Sequence, residues 1–316
     1  MSGLREFVDV LRAAGENTRL RLLALLANGE LSVKDLTEIL DQSQPRISRH
    51  LRLLCEAGLA TRHAEGAWAY FRLSDDPWSA ELVTALLARL DEADPILKGD
   101  RDRLEAVRID HQNRASAYFA KVASNWDRIR GLHLPEADVN RAIFSLIENV
   151  DIDDCLDLGT GTGRMLEVLS PHFKRGVGID SSREMIAVAR ANIEKAGIRN
   201  AQIRLGDITA LDAFSETADL VVLHQVLHYF DDPGRALRYA RATLKPGGHV
   251  LIVDFAPHNL EFLREQQAHR RLGLSEAQMA QWARLAEMEV KTVETLPPVE
   301  GREGLTVCVW LLADNR

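Results

Sequence analysis

The chain has few residues that could form covalent or metal-held frameworks. Its three cysteines, Cys55, Cys155 and Cys308, lie far apart in apolar stretches of the 316 residues. They are typical of small buried side chains in a reducing cytoplasm, which argues against a disulfide framework or a zinc site. No apolar run is long enough to cross a bilayer, and the chain starts without a signal peptide. We therefore expect a cytoplasmic protein with no membrane partner and no metal, long enough for two domains.

A glycine-rich segment, Asp157 to Gly163, stands between a strand pattern and a helical pattern. Glycine at such a turn allows a positive φ and lets a ligand approach the backbone closely. A second apolar run ends at Asp180, whose carboxylate could accept hydrogen bonds from two ribose hydroxyls. The spacing D-x-G-x-G-x-G differs from the dinucleotide fingerprint, and the leading Asp157 suits a cationic ligand better than a pyrophosphate.

This segment resembles motif I of the class I S-adenosylmethionine-dependent methyltransferases, and the resemblance covers about residues 116–316. It implies a Rossmann-like sheet that binds S-adenosylmethionine or S-adenosylhomocysteine. By the same resemblance, Asp207 would bind the adenine amino group, and Leu244 to His249 would be a turn into a strand at Val250 to Asp254. The implied cofactor-binding residues are Asp157, Gly159, Thr160, Gly161, Gly163, Asp180, Ser181, Asp207, Ile208 and His224.

The catalytic group is less well defined. Methyl transfer from a sulfonium depends on alignment, and a base is needed only where the acceptor must lose a proton. The candidates are His224, His228 and His269, each of which also fits a pocket wall or a satisfied polar residue. No third ligand of recognisable spacing follows the two histidines four residues apart, so zinc is not expected. An Asn-Pro-Pro-Tyr signature is absent after the fourth strand pattern, which argues against methylation of DNA bases.

The first hundred residues have helical patterns at 17–26, 33–40 and 42–54, then strand patterns at 60–63 and 68–73. Residues 4–95 resemble the arsenical-resistance-repressor type of winged helix-turn-helix regulator. This implies a homodimer on a double-stranded DNA operator, with the third helix in the major groove. We expect DNA contacts from Ser43, an N-cap, together with Gln44, Arg46, Ser48, Arg49, His50, Arg52 and Arg62.

Two features qualify the resemblance to the repressors. Metal-sensing members carry a cysteine pair where this chain has Ser32 and Lys34, and soft metals require thiolates at that position. The net charge of −8 is unusual for a DNA-binding protein. However, residues 42–73 contain five arginines against two glutamates, and affinity for phosphates depends on that local surface.

The sequence thus predicts an α/β two-domain chain. A winged helix-turn-helix domain occupies 1–95, a charged linker or helix 96–115, and the methyltransferase domain 116–316. The linker is centred on Asp91 to Asp102, and the helices around Leu11 and Leu86 would form the dimer. Tyr118 and Trp126 fit either a lid over the cofactor or simple packing.

Two functions remain open at this point. The chain could be a regulator whose methyltransferase-type domain binds S-adenosylmethionine or S-adenosylhomocysteine as effector or methyl donor. It could also be an active small-molecule methyltransferase with an unknown acceptor, whose winged helix serves autoregulation or dimerisation. The residues favour enzyme activity without identifying the acceptor or effector.

Overall fold

The computed structural model describes residues 4–65, 68–123, 136–211, 214–298 and 304–316. The chain divides into two compact units, Met1–Asn113 and Arg114–Arg316. The tip of the predicted wing at Gly66 and Ala67, and the aromatic residue Trp126, lie outside the described residues. None of the helices in the described ranges combines the length and apolar character needed to span a bilayer.

The first unit packs short helices on a small antiparallel sheet of three strands. Its elements in chain order are α1 (Leu4–Ala14), α2 (Asn17–Leu26), β1 (Leu31–Ser32), α3 (Val33–Leu40), α4 (Gln44–Glu56), β2 (Ala60–Glu65), β3 (Trp68–Leu73) and α5 (Pro77–Leu87). The central strand β3 pairs with both β1 and β2. The helices followed by a β-hairpin confirm the predicted winged helix-turn-helix fold.

Helix α4 turns its apolar residues into the core of this unit. Ile47, Leu51 and Leu54 are spaced three and four residues apart, so they share one face, and all three are fully buried. Burial of each such side chain stabilises the fold by roughly 1.5–3 kcal/mol. Because the apolar face packs into the core, the opposite, polar face of α4 points toward solvent.

Helix α3 begins with a capping box where metal-sensing repressors carry cysteine. The Ser32 hydroxyl accepts the Asp35 backbone N–H at 3.1 Å, and the Asp35 carboxylate accepts the Ser32 N–H at 3.2 Å. Both residues are buried. Two donors that a helix start would otherwise leave without partners are thus satisfied.

A helix of 28 residues, α6 (Pro95–Val122), occupies most of the segment predicted as a linker, and the division at Asn113 falls within it. Residues 96–115, predicted as a charged linker or helix, lie wholly within this helix. The carboxylate of Asp100 is 3% exposed and forms two hydrogen bonds, of 2.6 and 2.7 Å, with the Arg21 guanidinium of α2. A charged run indicates a linker only when its charges face solvent, and here a central carboxylate is buried against α2.

The second unit is built on a seven-stranded sheet. Its elements are α7 (Glu136–Ile147), β4 (Asp154–Leu158), α8 (Arg164–Leu169), β5 (Arg175–Asp180), α9 (Arg183–Lys195), β6 (Ala201–Leu205), β7 (Ala218–His224), α10 (Pro233–Thr243), β8 (Leu244–Phe255), α11 (Phe262–Gln266), α12 (Glu276–Leu285), β9 (Met288–Leu296) and β10 (Val307–Asp314). The order is β6-β5-β4-β7-β8-β10-β9, with the first five strands parallel and the last two joined antiparallel. This confirms the predicted Rossmann-like methyltransferase sheet.

Strand β8 differs from the sequence prediction at its start. The segment predicted as a turn, Leu244 to His249, belongs to the strand, because its first and last residues both pair with β7. Ala218 pairs with Leu244 and Leu220 pairs with His249, so the residues between are accommodated as a bulge. Gly247 within the bulge has a φ of 77°, which glycine adopts without steric strain.

Candidate functional site

The glycine-rich segment forms a tight loop between β4 and α8. Gly159, Gly161 and Gly163 have φ values of 74°, 54° and 79°, so each uses the left-handed region that favours glycine. The backbone N–H groups of Gly159 and Thr160 donate to the Ile179 carbonyl of β5 at 2.8 and 3.0 Å. The loop is therefore anchored to the neighbouring strand.

Gly159 also lies against the segment that follows β7. A Cβ atom added to Gly159 would stand 2.4 Å from Val226 Cγ2, far inside van der Waals contact. The predicted reason for glycine here was close approach of a ligand. The structure adds a second reason, since a neighbouring side chain occupies the same space.

Asp157 and Asp180 stand at the carboxyl ends of β4 and β5. Asp157 is buried, and its carboxylate accepts the Thr160 hydroxyl at 2.6 Å. The Asp180 carboxylate accepts backbone N–H groups from Gly161 at 2.9 Å and from Ser182 at 2.8 Å, and the backbone of Ser181 is a further donor. Asp180 thus joins the glycine loop to the start of α9 and keeps lone pairs for further donors.

Burial raises the pKa of the Asp180 carboxyl, and the backbone donors at Ser182 and Gly161 partly offset this effect. Additional hydroxyl donors would favour the ionised carboxylate and lower that pKa. A vicinal diol such as a ribose supplies two such donors. The site therefore fits the ribose of an adenosine cofactor in chemistry as well as in position.

The remaining predicted cofactor residues lie along the same edge of the sheet. Asp207 follows β6, and one of its carboxylate oxygens accepts the Thr209 N–H and hydroxyl, both at 2.8 Å. Ile208 is buried, and His224 ends β7. The chain reverses its direction of strand addition between β4 and β7, and ligands of open α/β sheets bind at such a switch point. Ser181 is exposed beside Asp180.

The structure brings two of the three candidate histidines together. The rings of His228 and His269 lie 4.1 Å apart between centroids. His228 Nδ1 is 2.7 Å from Asp254 Oδ1, and both side chains are buried. His224 lies at the end of β7, four residues before His228.

Asp254 and Tyr229 belong to this cluster and were not among the predicted site residues. The Tyr229 ring lies 4.1 Å from the His228 ring, and burial raises its phenol pKa well above the ordinary value. Asp254 is the penultimate residue of the apolar strand β8 and is fully buried. A carboxylate inside an apolar strand was the sequence signal that could have identified it, because buried carboxylates need partners.

Predicted DNA-binding residues of the first unit line a groove of about 630 Å³ between α4 and the wing. Gln44, Ser48 and Arg52 line it from α4, with Arg62 on β2. Arg46 and Arg49 are exposed on the outer side of the same helix. The remaining members of the groove include Lys34 and Trp68, whose ring lies 5.7 Å from the lysine Nζ.

His50 and Ser43 are placed differently from the other predicted DNA contacts. The His50 imidazole lies 3.5 Å from the Glu16 carboxylate, on the inner side of α4. Burial lowers its pKa, and Arg19, Arg46 and Arg49 act in the same direction against the opposing effect of Glu16. Ser43 holds the N-cap position of α4, but its side chain makes no capping hydrogen bond.

Within the described residues no group of three or more histidine, cysteine, aspartate or glutamate side chains could hold a metal ion.

Comparison with known proteins gives two family matches. Residues 16–62 match the family model described as bacterial regulatory protein, arsR family, and residues 156–252 match that of a methyltransferase domain. The chain is 29% identical over 133 residues to an uncharacterized methyltransferase of Bacillus subtilis, covering 39% of this chain and 53% of that protein. The chain thus spans about half the length of that relative.

A solved structure and a repressor complete the comparison. The N-methyltransferase NodS of Bradyrhizobium japonicum, crystallised with S-adenosyl-L-homocysteine, superposes with a TM-score of 0.53 at 18% identity, covering 64% of this chain and 99% of that one. At this identity the likeness establishes the fold. The arsenical resistance operon repressor of Escherichia coli is 43% identical over 79 residues, which are 24% of this chain and 68% of the repressor. The chain therefore belongs to the arsR family of bacterial regulatory proteins and carries a class I methyltransferase domain in its second half.

Proposed function

We propose that the protein is an operator-binding regulator whose second unit binds S-adenosylmethionine or S-adenosylhomocysteine. The observation that carries the cofactor part is the Asp180 carboxylate, which hydrogen-bonds the glycine loop and the start of α9 at the switch point of the sheet. We assign operator binding to residues 1–95 and cofactor binding to 116–316, joined by 96–115.

Each part of the cofactor would meet a different group of the site. Asp180 would accept the ribose hydroxyls, and Asp207 would accept the adenine amino group. The glycine loop would lie along the methionine portion, with the Asp157 carboxylate near its ammonium group. When bound, S-adenosylmethionine supplies an electrophilic methyl group on a sulfonium.

Operator binding would use the exposed arginines of α4 and the groove beside the wing. Arg46 and Arg49 are free of the core and positively charged, as contacts to phosphate and base edges require. Gln44, Ser48 and Arg52 line the adjoining groove. We assign no direct DNA contact to His50, because its imidazole faces Glu16.

A homodimer would present two such helices to an operator. On α1, Leu4, Phe7 and Leu11 form a stripe with exposures of 82%, 38% and 40%. A second copy of the chain is the partner that we propose for this stripe, with the half-buried Leu82 and Leu86 of α5 beside it. The ring contact of Phe7 with Trp78 places the two helices next to each other.

Binding of cofactor and operator would be linked. Helix α6 carries Asp100, buried against Arg21 in the first unit, and Phe119, whose ring lies 4.8 Å from Tyr229 in the second. Linkage is reciprocal, so a cofactor that changes operator affinity is itself bound with a changed affinity by the same factor.

A second function, catalysed methyl transfer to a small molecule, is favoured by the buried pair of His228 and Asp254. A regulator that only senses a cofactor needs no proton acceptor beside the binding loop. The two functions are compatible in one chain.

Two measurements on the full-length protein test the proposal. In calorimetry, Asp180→Ala should weaken binding of S-adenosylhomocysteine by roughly tenfold to a hundredfold, because a hydrogen bond to a charged group contributes about 1.5–3 kcal/mol. The exposed Asp151→Ala is the matched control and should bind as the wild type does. Equal affinities for all three proteins would contradict the pocket assignment.

The second measurement is an operator-binding isotherm at fixed salt, using DNA selected by the protein from a random pool. It is recorded with no cofactor, with saturating S-adenosylmethionine and with saturating S-adenosylhomocysteine. We expect the midpoints to differ, since only one cofactor carries the sulfonium charge. Identical midpoints would refute the linkage, and the second unit would then be assigned to methyl transfer and not to sensing.

A further inference from the structure

A buried imidazole and carboxylate form a fixed pair at the carboxyl end of the sheet. His228 is 2% exposed and Asp254 is fully buried. Besides the imidazole, Asp254 accepts the backbone N–H of His228 at 3.2 Å and that of Phe255 at 2.8 Å. An ionised carboxylate can only accept hydrogen bonds, so the 2.7 Å contact with the ring is a hydrogen bond in the tautomer that carries its proton on Nδ1. The neutral imidazole then has its basic lone pair on Nε2.

The segment that carries His228 packs on the proposed cofactor loop. His228 is the middle residue of a short 3₁₀ helix, Leu227–Tyr229. Val226, directly before that helix, fills the space beside Gly159 of the glycine loop. His228 thus follows two residues after Val226, the residue that contacts the loop directly.

The imidazole is held by its neighbours as well as by Asp254. The rings of Tyr229 and His269 lie 4.1 Å from it and that of Phe255 lies 5.3 Å away. The carbonyl of His228 accepts the backbone N–H groups of Arg270 and Arg271, each at 2.9 Å. A group held on several sides is suited to precise proton transfer, because little reorganisation is needed.

We propose, resting on the methyl transfer proposed above, that His228 is the general base of the reaction and that its acceptor is a hydroxyl compound, a phenol in particular. Asp254 is a positioning residue that fixes the tautomer and stabilises the imidazolium. Tyr229 does not serve as the base, because burial raises its pKa well above the ordinary phenol value. The aromatic rings around His228 favour a planar acceptor.

The proton balance distinguishes hydroxyls from other acceptors. A neutral amine attacks with its free lone pair, and a thiol ionises readily near neutral pH, whereas a hydroxyl keeps its proton and is a weak nucleophile. In the proposed step Nε2 takes the hydroxyl proton while the oxygen forms a bond to the methyl carbon. The carbon–sulfur bond breaks, its electron pair stays on sulfur, and the product thioether is S-adenosylhomocysteine. The imidazolium then releases its proton to solvent.

The test uses the full-length protein, S-adenosylmethionine and three aromatic probes: catechol, aniline and thiophenol. The formation of methylated product is followed by mass spectrometry. We expect catechol to be methylated fastest. Preferred methylation of aniline or thiophenol, or of none of the three, overturns the hydroxyl assignment.

Two variants separate the base from a structural role. His228→Asn should lower kcat for catechol by about 10²–10⁴-fold, the usual contribution of a general base, with KM and the affinity for S-adenosylhomocysteine nearly unchanged. Asp254→Asn should lower kcat by at least about 10²-fold, because it favours the wrong tautomer. The control is His269→Asn, which removes the ring beside His228 but keeps the contact between His228 and Asp254, and it should lower kcat much less. An equal loss in His269→Asn overturns the assignment of the base.

The acidity of the acceptor provides a readout that a packing defect would not change. 4-Nitrocatechol is largely ionised in mildly alkaline buffer, so it needs no base. The loss in His228→Asn should therefore shrink at least tenfold relative to catechol. An unchanged defect with both catechols overturns the proposal.

Two further readouts do not depend on turnover. ¹⁵N NMR of histidine-labelled protein should show His228 protonated at Nδ1, and protonation at Nε2 overturns the mechanism. Calorimetry with S-adenosylhomocysteine distinguishes a failure of the proposed function from a failure of the base assignment. If the wild type does not bind this cofactor, the proposed function fails. If it binds and His228→Asn methylates catechol normally, only the base assignment fails.

Discussion

Replacement of Gly159 by alanine should damage the second unit in two separable ways. The backbone at Gly159 has a φ of 74°, where alanine is strained. The new Cβ would also stand 2.4 Å from Val226 Cγ2 and 3.2 Å from its Cγ1. Valine is β-branched and has one strongly preferred rotamer in many settings, so it cannot simply swing away.

The two contributions can be estimated from the structure. A left-handed backbone costs an L-residue about 1–2 kcal/mol. Overpacking by one methyl group adds roughly 1–3 kcal/mol. Gly159→Ala should therefore lower the free energy of unfolding by about 2–5 kcal/mol.

Gly197 provides the matched control. Its φ of 69° is nearly the same, and a Cβ there would meet nothing within 4 Å. Gly197→Ala should thus incur only the backbone strain, about 1–2 kcal/mol. The difference between the two variants measures the contact with Val226.

The free energy of unfolding of the second unit can be followed in the full-length protein by amide hydrogen exchange in urea, using peptides from β4 to β8. A double-mutant cycle with Val226→Ala should recover roughly 1–3 kcal/mol in the Gly159→Ala background. The affinity for S-adenosylhomocysteine should fall in Gly159→Ala and not in Gly197→Ala. Equal destabilisation in both glycine variants, with no recovery by Val226→Ala, would show that the glycine loop does not contact Val226.

Two further predictions concern the first unit. Asp100→Asn should lower its free energy of unfolding by about 3 kcal/mol, because the partly buried Arg21 loses its charged partner, while the exposed Asp102→Asn should change it little. Differential scanning calorimetry compares the two variants, and equal Tm values would contradict the role of the pair. For His50, burial lowers the pKa, so the unfolded chain binds a proton more readily. The stability contributed by neutral His50 is present above its ordinary pKa and is lost as the pH falls through the folded value. Between about pH 7.5 and about pH 5.5 the wild type should therefore lose more Tm than His50→Gln, and parallel losses would argue against this.

The sequence was sufficient to predict many of the helices and strands and the family that each unit resembles. The helix predicted at 33–40 has those bounds because Ser32 and Asp35 close a capping box within four residues. The strand predicted at 68–73 is β3, and the residue pattern that indicated it is local. The loop at Gly159 to Gly163 could be identified because its residues with positive φ favour glycine, whatever the rest of the chain packs against it.

Predictions failed or were incomplete where a residue's environment depends on distant parts of the chain. The charged segment around Asp100 left a linker and a helix open. Composition does not reveal that the guanidinium of Arg21, 79 residues earlier, donates a hydrogen bond to the Asp100 carboxylate. Likewise, the sequence offered three histidines as equivalent candidates. Packing selected His228 by placing it against Asp254, 26 residues later, and beside the ring of His269.

The physical reason is the range of the interactions. Periodicity, capping and turn chemistry act over a few residues, so the sequence by itself determined the helices, the strands and the glycine loop. The pairs His228–Asp254 and Gly159–Val226 exist only because the sheet sets β4, β7 and β8 side by side, with the ends of β4 and β7 and the segment after β7 at one edge. That neighbourhood, and with it the proposed proton acceptor of the site, was decided by the tertiary structure.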